Sequence, residues 1–228
     1  MNYRDQSPDD PLLPPAAVIF DWDNTLVDSW PNLIRIMNAT LAAMGRPTWT
    51  PDEAKRRISK SLRDSFPVLF GGEWERAREI FYAELESSHL AMLRTLPDAG
   101  RAIGHFRSLG IPLAVVSNKT GDYLRREVAH LGWEPCFAAV YGAGDAPHDK
   151  PAPDAVLLFL ARLGLAPGRN IWFVGDGLVD METADAAGCA GVLVREGAGR
   201  NPAPPQRAEV DGCRSLIDLA DAVLGRRS

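Results

Sequence analysis

Phe20-Asp21-Trp22-Asp23-Asn24-Thr25-Leu26-Val27-Asp28 is the stretch on which the reading of this chain turns. It continues a short apolar run, Ala17-Val18-Ile19-Phe20. An unbroken apolar run of that length fits a strand buried on both faces of a parallel sheet. The run delivers two carboxylates, two residues apart, into a crevice at its end. Charges in a crevice are costly without partners, so a cation is expected there. Carboxylate oxygens suit magnesium, which commonly keeps waters and binds a phosphate oxygen as well. The motif therefore points to metal-assisted phosphoryl chemistry. A lone Asp-x-Asp also occurs in solvated turns, so support has to come from elsewhere in the chain.

The chain has 228 residues, 46% of them hydrophobic, a net charge of −5 and a pI near 5.4. That length suits one large domain, or a core domain with a smaller insert. Basic residues are not gathered into a stripe, which argues against a nucleic-acid partner. The three cysteines, Cys136, Cys189 and Cys213, are odd in number and share no close spacing. They read as reduced thiols, not as a disulfide framework or a zinc site. No apolar run approaches the ~20 residues that span a bilayer, so no membrane partner is expected. Residues 1–15 are polar and proline-rich and lack an apolar h-region, which suggests a flexible arm and a cytoplasmic location.

From Ile111 onward, strand-like runs alternate with helical patterns. Strands are expected at Pro112–Val116, Phe137–Tyr141, Ile171–Val174 and Gly191–Val194. Helices are expected at Tyr123–Leu131, Pro153–Leu163, Val179–Ala187 and Ser215–Leu224, with Gly132, Gly164 and Gly188 as stops after the first three. Such alternation predicts an α/β fold: a parallel sheet with helices on both faces. Residues 29–96 differ. Leu33, Ile36, Met37, Leu41 and Met44 recur at helical spacing, and Glu73–Leu93 is a long helical stretch. No good strand lies between them, so an all-helical insert is expected there. Pro31, Pro47, Pro67, Gly71 and Pro97 would punctuate its pieces. Residues 16–28 and 97–228 would then form the core. The Gly- and Pro-rich segment 197–205 reads as a surface loop.

Ligands of an open parallel sheet bind beyond the carboxyl ends of its strands. Those ends carry Asp21-x-Asp23, then Ser117-Asn118-Lys119-Thr120, then Asp149-Lys150-Pro151, then Gly175-Asp176-Gly177-Leu178-Val179-Asp180. Among them Asp21, Asp23, Asp176 and Asp180, with a hydroxyl from Ser117 and the lysine Lys150, make the inventory of a phosphate-and-magnesium site. In this order the four motifs resemble those of the haloacid dehalogenase superfamily, in its phosphoglycolate phosphatase-like group with a helical cap. The resemblance runs from about Ala16 to Leu224. It implies a Rossmann-like core and an all-α cap.

The resemblance also implies roles. Asp21 would be the nucleophile that forms an aspartyl-phosphate. Asp23 would protonate the leaving alcohol and then activate water. Thr25 would support the loop and orient the Asp23 carboxylate. Ser117 and the amide of Asn118 would bind phosphate, and Lys150 would neutralise its oxygens. Magnesium would be held by Asp21, the Asp23 carbonyl and Asp176, with Asp180 holding a metal-bound water or Lys150. Asp21 has to be ionised and Asp23 protonated at the right moment, so the Asp23 pKa is expected above that of Asp21. Two positions depart from the commonest pattern: Asn24 replaces a glycine, and Gly177 replaces a Ser or Thr. Asn tolerates left-handed backbone angles, so a tight turn survives.

The segment Arg56-Arg57-Ile58-Ser59-Lys60-Ser61-Leu62-Arg63 resembles the cap's specificity loop. Lys60 or Arg63 would pair with a second anionic group on the substrate, although a solvated helix face accounts equally for such residues. His89, His105, His130 and His148 read as surface or packing residues. The expected activity is magnesium-dependent hydrolysis of a small phosphorylated metabolite, 2-phosphoglycolate being one candidate, by a monomer or homodimer. A sugar phosphomutase on the same scaffold is the alternative. A non-catalytic binding module would have lost one of Asp21, Asp23, Lys150 or Asp176, and all four are present.

Overall fold

A computed structural model describes residues 12–58, 61–195 and 208–226. The first strand, β1 (Ala17–Phe20), is followed by helices α1 (Trp30–Ala43), α2 (Pro51–Arg57), α3 (Leu62–Phe70) and α4 (Trp74–Ser88). Then come α5 (Ala99–Ser108), β2 (Leu113–Thr120), α6 (Gly121–His130), β3 (Ala139–Ala143), α7 (Asp154–Leu163), β4 (Ile171–Gly175), α8 (Leu178–Ala187), β5 (Ala190–Arg195), β6 (Ala208–Asp211) and α9 (Gly212–Val223). The strands form one sheet in the order β3-β2-β1-β4-β5-β6, and every pairing is parallel. This is the α/β architecture that the alternation predicts. The strand order reverses between β1 and β4, which opens a crevice at their carboxyl ends.

The buried runs explain the sheet. Val18, Phe20, Val115, Trp172 and Val174 face one layer of helices, where they meet Phe106 of α5, Leu124 of α6 and Leu216 of α9. Ala17, Ile19, Ala114, Ile171 and Phe173 face the other, against Val156, Phe159 and Leu160 of α7 and Ala184 of α8. Burying each of the larger side chains contributes about 1.5–3 kcal/mol. The helices α1 to α4 make a separate apolar cluster from Ile36, Met37, Leu41, Trp49, Phe66, Phe70, Phe81 and Leu85. This helical portion leaves and rejoins the sheet side by side. Val27 and Thr95 form an antiparallel bridge, Leu96 N donates to Leu26 O (3.0 Å), and Asp28 N donates to Arg94 O (2.8 Å).

Several boundaries differ from those expected. β2 runs on through Ser117–Thr120, with a register shift against β3 after Val116. α6 therefore starts at Gly121, two residues early. α5 and the short edge strand β6 are additional elements. Pro67 lies inside α3 and does not punctuate it. Its ring removes one helical hydrogen bond, but Phe66 and Phe70 on either side pack against each other with ring centroids 4.9 Å apart. That burial carries the helix through the break. Leu13, expected in a loose arm, accepts a hydrogen bond on its carbonyl from Trp172 Nε1 (3.0 Å). The expected loop at 197–205 lies outside the described residues.

Candidate active site

The end of β1 turns sharply into the crevice. Asp21 N donates to Val174 O of the neighbouring β4 (2.8 Å), and the amides of Leu26 and Val27 return to Trp22 O (3.0 and 3.2 Å). Asn24 sits at φ 64°, the left-handed conformation that a glycine would adopt without strain. This single-turn coil sets Thr25 above Asp21, four residues back. Its hydroxyl donates to Asp21 Oδ2 (3.5 Å). Thr25 therefore supports Asp21, where an orienting contact to Asp23 was expected.

Lys150 is buried and lies between two carboxylates, 2.6 Å from Asp21 Oδ1 and 2.6 Å from Asp180 Oδ1. The second oxygen of Asp180 accepts from Gly177 N (3.0 Å) at the start of α8. Both Asp180 oxygens are thus engaged, which fits a role in holding Lys150. Gly175 permits this approach, because a Cβ there would stand 2.3 Å from Asp180 Cγ. Asp176, on the same turn, completes a cluster in which Asp21, Asp176 and Asp180 bring one oxygen each within 4.8 Å of one another.

Electrostatics in this crevice are not balanced by the polypeptide. Burial pushes the Asp21 carboxyl up to about 7 against the opposing pull of Lys150, with Asp180 and Asp23 adding to the rise. Burial, then the Asp21 and Asp180 charges, holds Asp176 well above the usual carboxylate range. The readily ionised Asp21 that was expected thus needs an additional positive charge. Burial opposes the Lys150 charge, but Asp180 and Asp21 outweigh it and raise its pKa. Clustered oxygens whose carboxyls resist ionisation fit a hard divalent cation, which would favour their charged forms. Asp21 and Asp176 would hold it, since Asp180 is committed to Lys150 and Gly177.

Ser117 is buried, and its Oγ accepts from Lys119 N (3.1 Å). Asn118 Nδ2 donates to the Lys150 carbonyl (3.1 Å) and so ties the β2 end to the lysine loop. Asp23 follows Trp22 in the chain and lines the same cavity as Asp21. Its Oδ1 accepts from the Ser29 hydroxyl and from Lys119 Nζ (2.8 Å). Lys119 Nζ also reaches Glu127 Oε2 (2.6 Å), which accepts from the Trp22 indole (2.7 Å). His89 Nδ1 lies 3.3 Å from Glu127 Oε1. Lys119, Glu127 and Ser29 are absent from the expected site. Lys119 carried a signal, since it sits in the polar run that ends a central strand. Glu127 carried none, because it lies 105 residues from Trp22 within an ordinary helical pattern.

Above these groups is a cavity of about 490 Å³, floored by Asp21, Asp23, Ser117, Lys150 and Asp176. Trp30, Leu33, Trp49, Ile58 and Leu69 of the helical portion help to roof it, together with Lys55 and Arg57. Arg57 is exposed and stacks on Trp49, with 5.0 Å from Cζ to the ring centroid. Arg63 meets the buried carboxylate of Asp149 (3.0 Å) beside Lys150, which links α3 to the core loop. Lys60 lies outside the described residues. Tyr82 hydrogen-bonds Thr120 (2.6 Å) and stacks on Tyr123, a second link between the helical portion and the core. His148 faces Asp154 at the surface, His105 meets Asp221, and His89 is buried.

Residues 18–194 match the family model of the haloacid dehalogenase-like hydrolases. The chain belongs to that family. It is 30% identical over 191 residues to a phosphoglycolate phosphatase of Chromobacterium violaceum, covering 79% of this chain and 85% of that protein. It is 29% identical over 217 residues to an N-acetylmuramic acid 6-phosphate phosphatase of Pseudomonas aeruginosa, covering 91% and 96%. Among solved structures, a haloacid dehalogenase-like hydrolase of Bacteroides fragilis superposes with a TM-score of 0.75 at 28% identity, over 82% of this chain and 90% of that one.

Proposed function

We propose that this protein is a magnesium-dependent phosphatase of a small phosphorylated metabolite, working through an aspartyl-phosphate on Asp21. The observation that carries the reading is the Asp21–Lys150–Asp180 bridge, two contacts of 2.6 Å, beside Asp176 on the floor of the cavity. A phosphoryl group entering this cavity meets a carboxylate backed by an ammonium, with the Ser117 hydroxyl alongside. Asp21 attacks phosphorus, the bond to the leaving oxygen breaks, and Asp23 transfers its proton to that oxygen. Water then gives its proton to the Asp23 carboxylate and attacks the phosphorus, which releases inorganic phosphate and restores Asp21. A magnesium ion held by Asp21, Asp176 and the Asp23 carbonyl would neutralise charge on the phosphoryl oxygens. Lys150 supplies the protein's own share of that neutralisation, and one such donor is worth ~10²–10³ in rate.

The helical portion acts in this reading as a cap, excluding water during the first transfer. The names of the relatives support phosphate-ester hydrolysis and differ in substrate, so 2-phosphoglycolate and an amino-sugar 6-phosphate are the two to compare first. Purified protein is assayed against both and against p-nitrophenyl phosphate, with magnesium and with EDTA. Release of inorganic phosphate that requires the cation supports the proposal. Undiminished release in EDTA, or by Asp21→Asn, refutes it.

A further inference from the structure

Asp23 is held at one oxygen by two donors. Among the described residues, its two side-chain donors, the Ser29 hydroxyl and the Lys119 ammonium, both converge on Oδ1. Asp23 itself lines the cavity. Lys119 is fixed in turn by Glu127 of α6 (2.6 Å), which also accepts from the indole of Trp22 (2.7 Å). The Lys119 ammonium thus bridges two carboxylates, Asp23 at 2.8 Å and Glu127 at 2.6 Å. Glu127 is itself almost wholly buried, with His89 on its other oxygen. A lysine held by a buried carboxylate has lost the freedom of a surface lysine. Its Nζ can fix the rotamer of the aspartate it touches.

We propose that Lys119, tethered by Glu127, is the positioning residue for proton delivery by Asp23. The pair pins Oδ1, so that the proton-bearing Oδ2 points at the leaving oxygen. This inference rests on the acid role given to Asp23 above. Positioning of that kind acts on the transition state only in so far as the leaving group needs a proton. A poor leaving group depends on it, and a good one does not. Lys119 as a mere fold support, or as a substrate anchor, would affect all leaving groups alike.

The test is kcat/KM for phenyl phosphate, p-chlorophenyl phosphate and p-nitrophenyl phosphate, esters of similar shape whose leaving groups differ in basicity. Removing Lys119 alone would leave the buried Glu127 without its lysine partner, with the Trp22 indole and His89 still against it. Lys119→Met is therefore compared with the charge-neutral double variant Lys119→Met, Glu127→Gln, each checked for its thermal melt. The double variant is expected to lose about tenfold or more on phenyl phosphate relative to p-nitrophenyl phosphate, a part of the 10²–10⁴ that acid catalysis supplies. Asp23→Asn is expected to show the same discrimination more strongly. If Asp23→Asn discriminates and the double variant loses equally on all three esters, the positioning role is overturned while the proposed function stands. If Asp23→Asn does not discriminate, the acid assignment fails, and this inference fails with it.

Discussion

Asp21→Asn is expected to destroy turnover and, in EDTA, to stabilise the fold. The carboxyl rises from its ordinary 3.8 to about 7 in the folded protein, chiefly by burial. Between those values the folded state keeps a proton that the unfolded chain has released. Stability therefore falls as pH rises through that window, and the full penalty is present above about 7. About three pH units at 1.36 kcal/mol each set a ceiling of about 4 kcal/mol. Lys150 divides its charge between Asp21 and Asp180 and readjusts when one of them ionises, so about 2 kcal/mol is the working figure. Asparagine keeps the shape and removes the charge. It also relieves Asp176, whose raised pKa owes part of its rise to Asp21. Thermal melts in EDTA should show variant and wild type together near pH 4. By pH 8 the variant should melt roughly 4–8 °C higher. Magnesium should narrow or invert the gap, because it binds the wild-type carboxylate and so favours the wild-type fold. A gap that does not change with pH, or a variant that melts lower than wild type at pH 8 in EDTA, refutes the electrostatic account of this crevice.

Lys150→Met should cost about 3–5 kcal/mol in urea unfolding at pH 8, since it leaves Asp21 and Asp180 buried without their shared ammonium. Its phosphatase rate should fall by at least ~10². Gly175→Ala should lose about 1–3 kcal/mol and much of the activity, because its Cβ would collide with Asp180 at 2.3 Å; a melt equal to wild type would contradict the close approach. Tyr82→Phe removes the 2.6 Å hydrogen bond to Thr120 between α4 and the end of β2. It should cost about 0.5–1.5 kcal/mol, and a larger loss would indicate that the stack on Tyr123 is disturbed as well.

The sheet was legible because its central strands are buried on both faces and read as unbroken apolar runs. Glycine stops at Gly164 and Gly188, both left-handed, ended α7 and α8 where expected. The edge strand β6 was not legible, since Ala208-Glu209-Val210-Asp211 is half polar and borrows its order from β5. α5 has a buried face at Ala99, Ala102, Ile103 and Phe106, but Gly100 and Gly104 interrupt the pattern of good helix formers. The groups brought together at the site came from the carboxyl ends of parallel strands, which all open on the same edge of the sheet. Partners lying across the chain did not follow that rule. Thr25 turned out to face Asp21 because the coil after β1 is a single turn, and Asp23 found Ser29 and Lys119 instead. Spacing along the chain gives no hint of the Trp22–Glu127 contact, which depends on how α6 packs against the sheet.

The paired crossing at Val27 and Thr95 has a consequence for engineering and for descent. Entry and exit of the helical portion are neighbours on an antiparallel bridge, at about 5 Å between backbones. Joining them with a short turn would close the remaining α/β unit with little loop entropy. A different helical module grafted at the same doorway would have to replace the contacts that the present one makes with the strand tips, Arg63 to Asp149 and Tyr82 to Thr120.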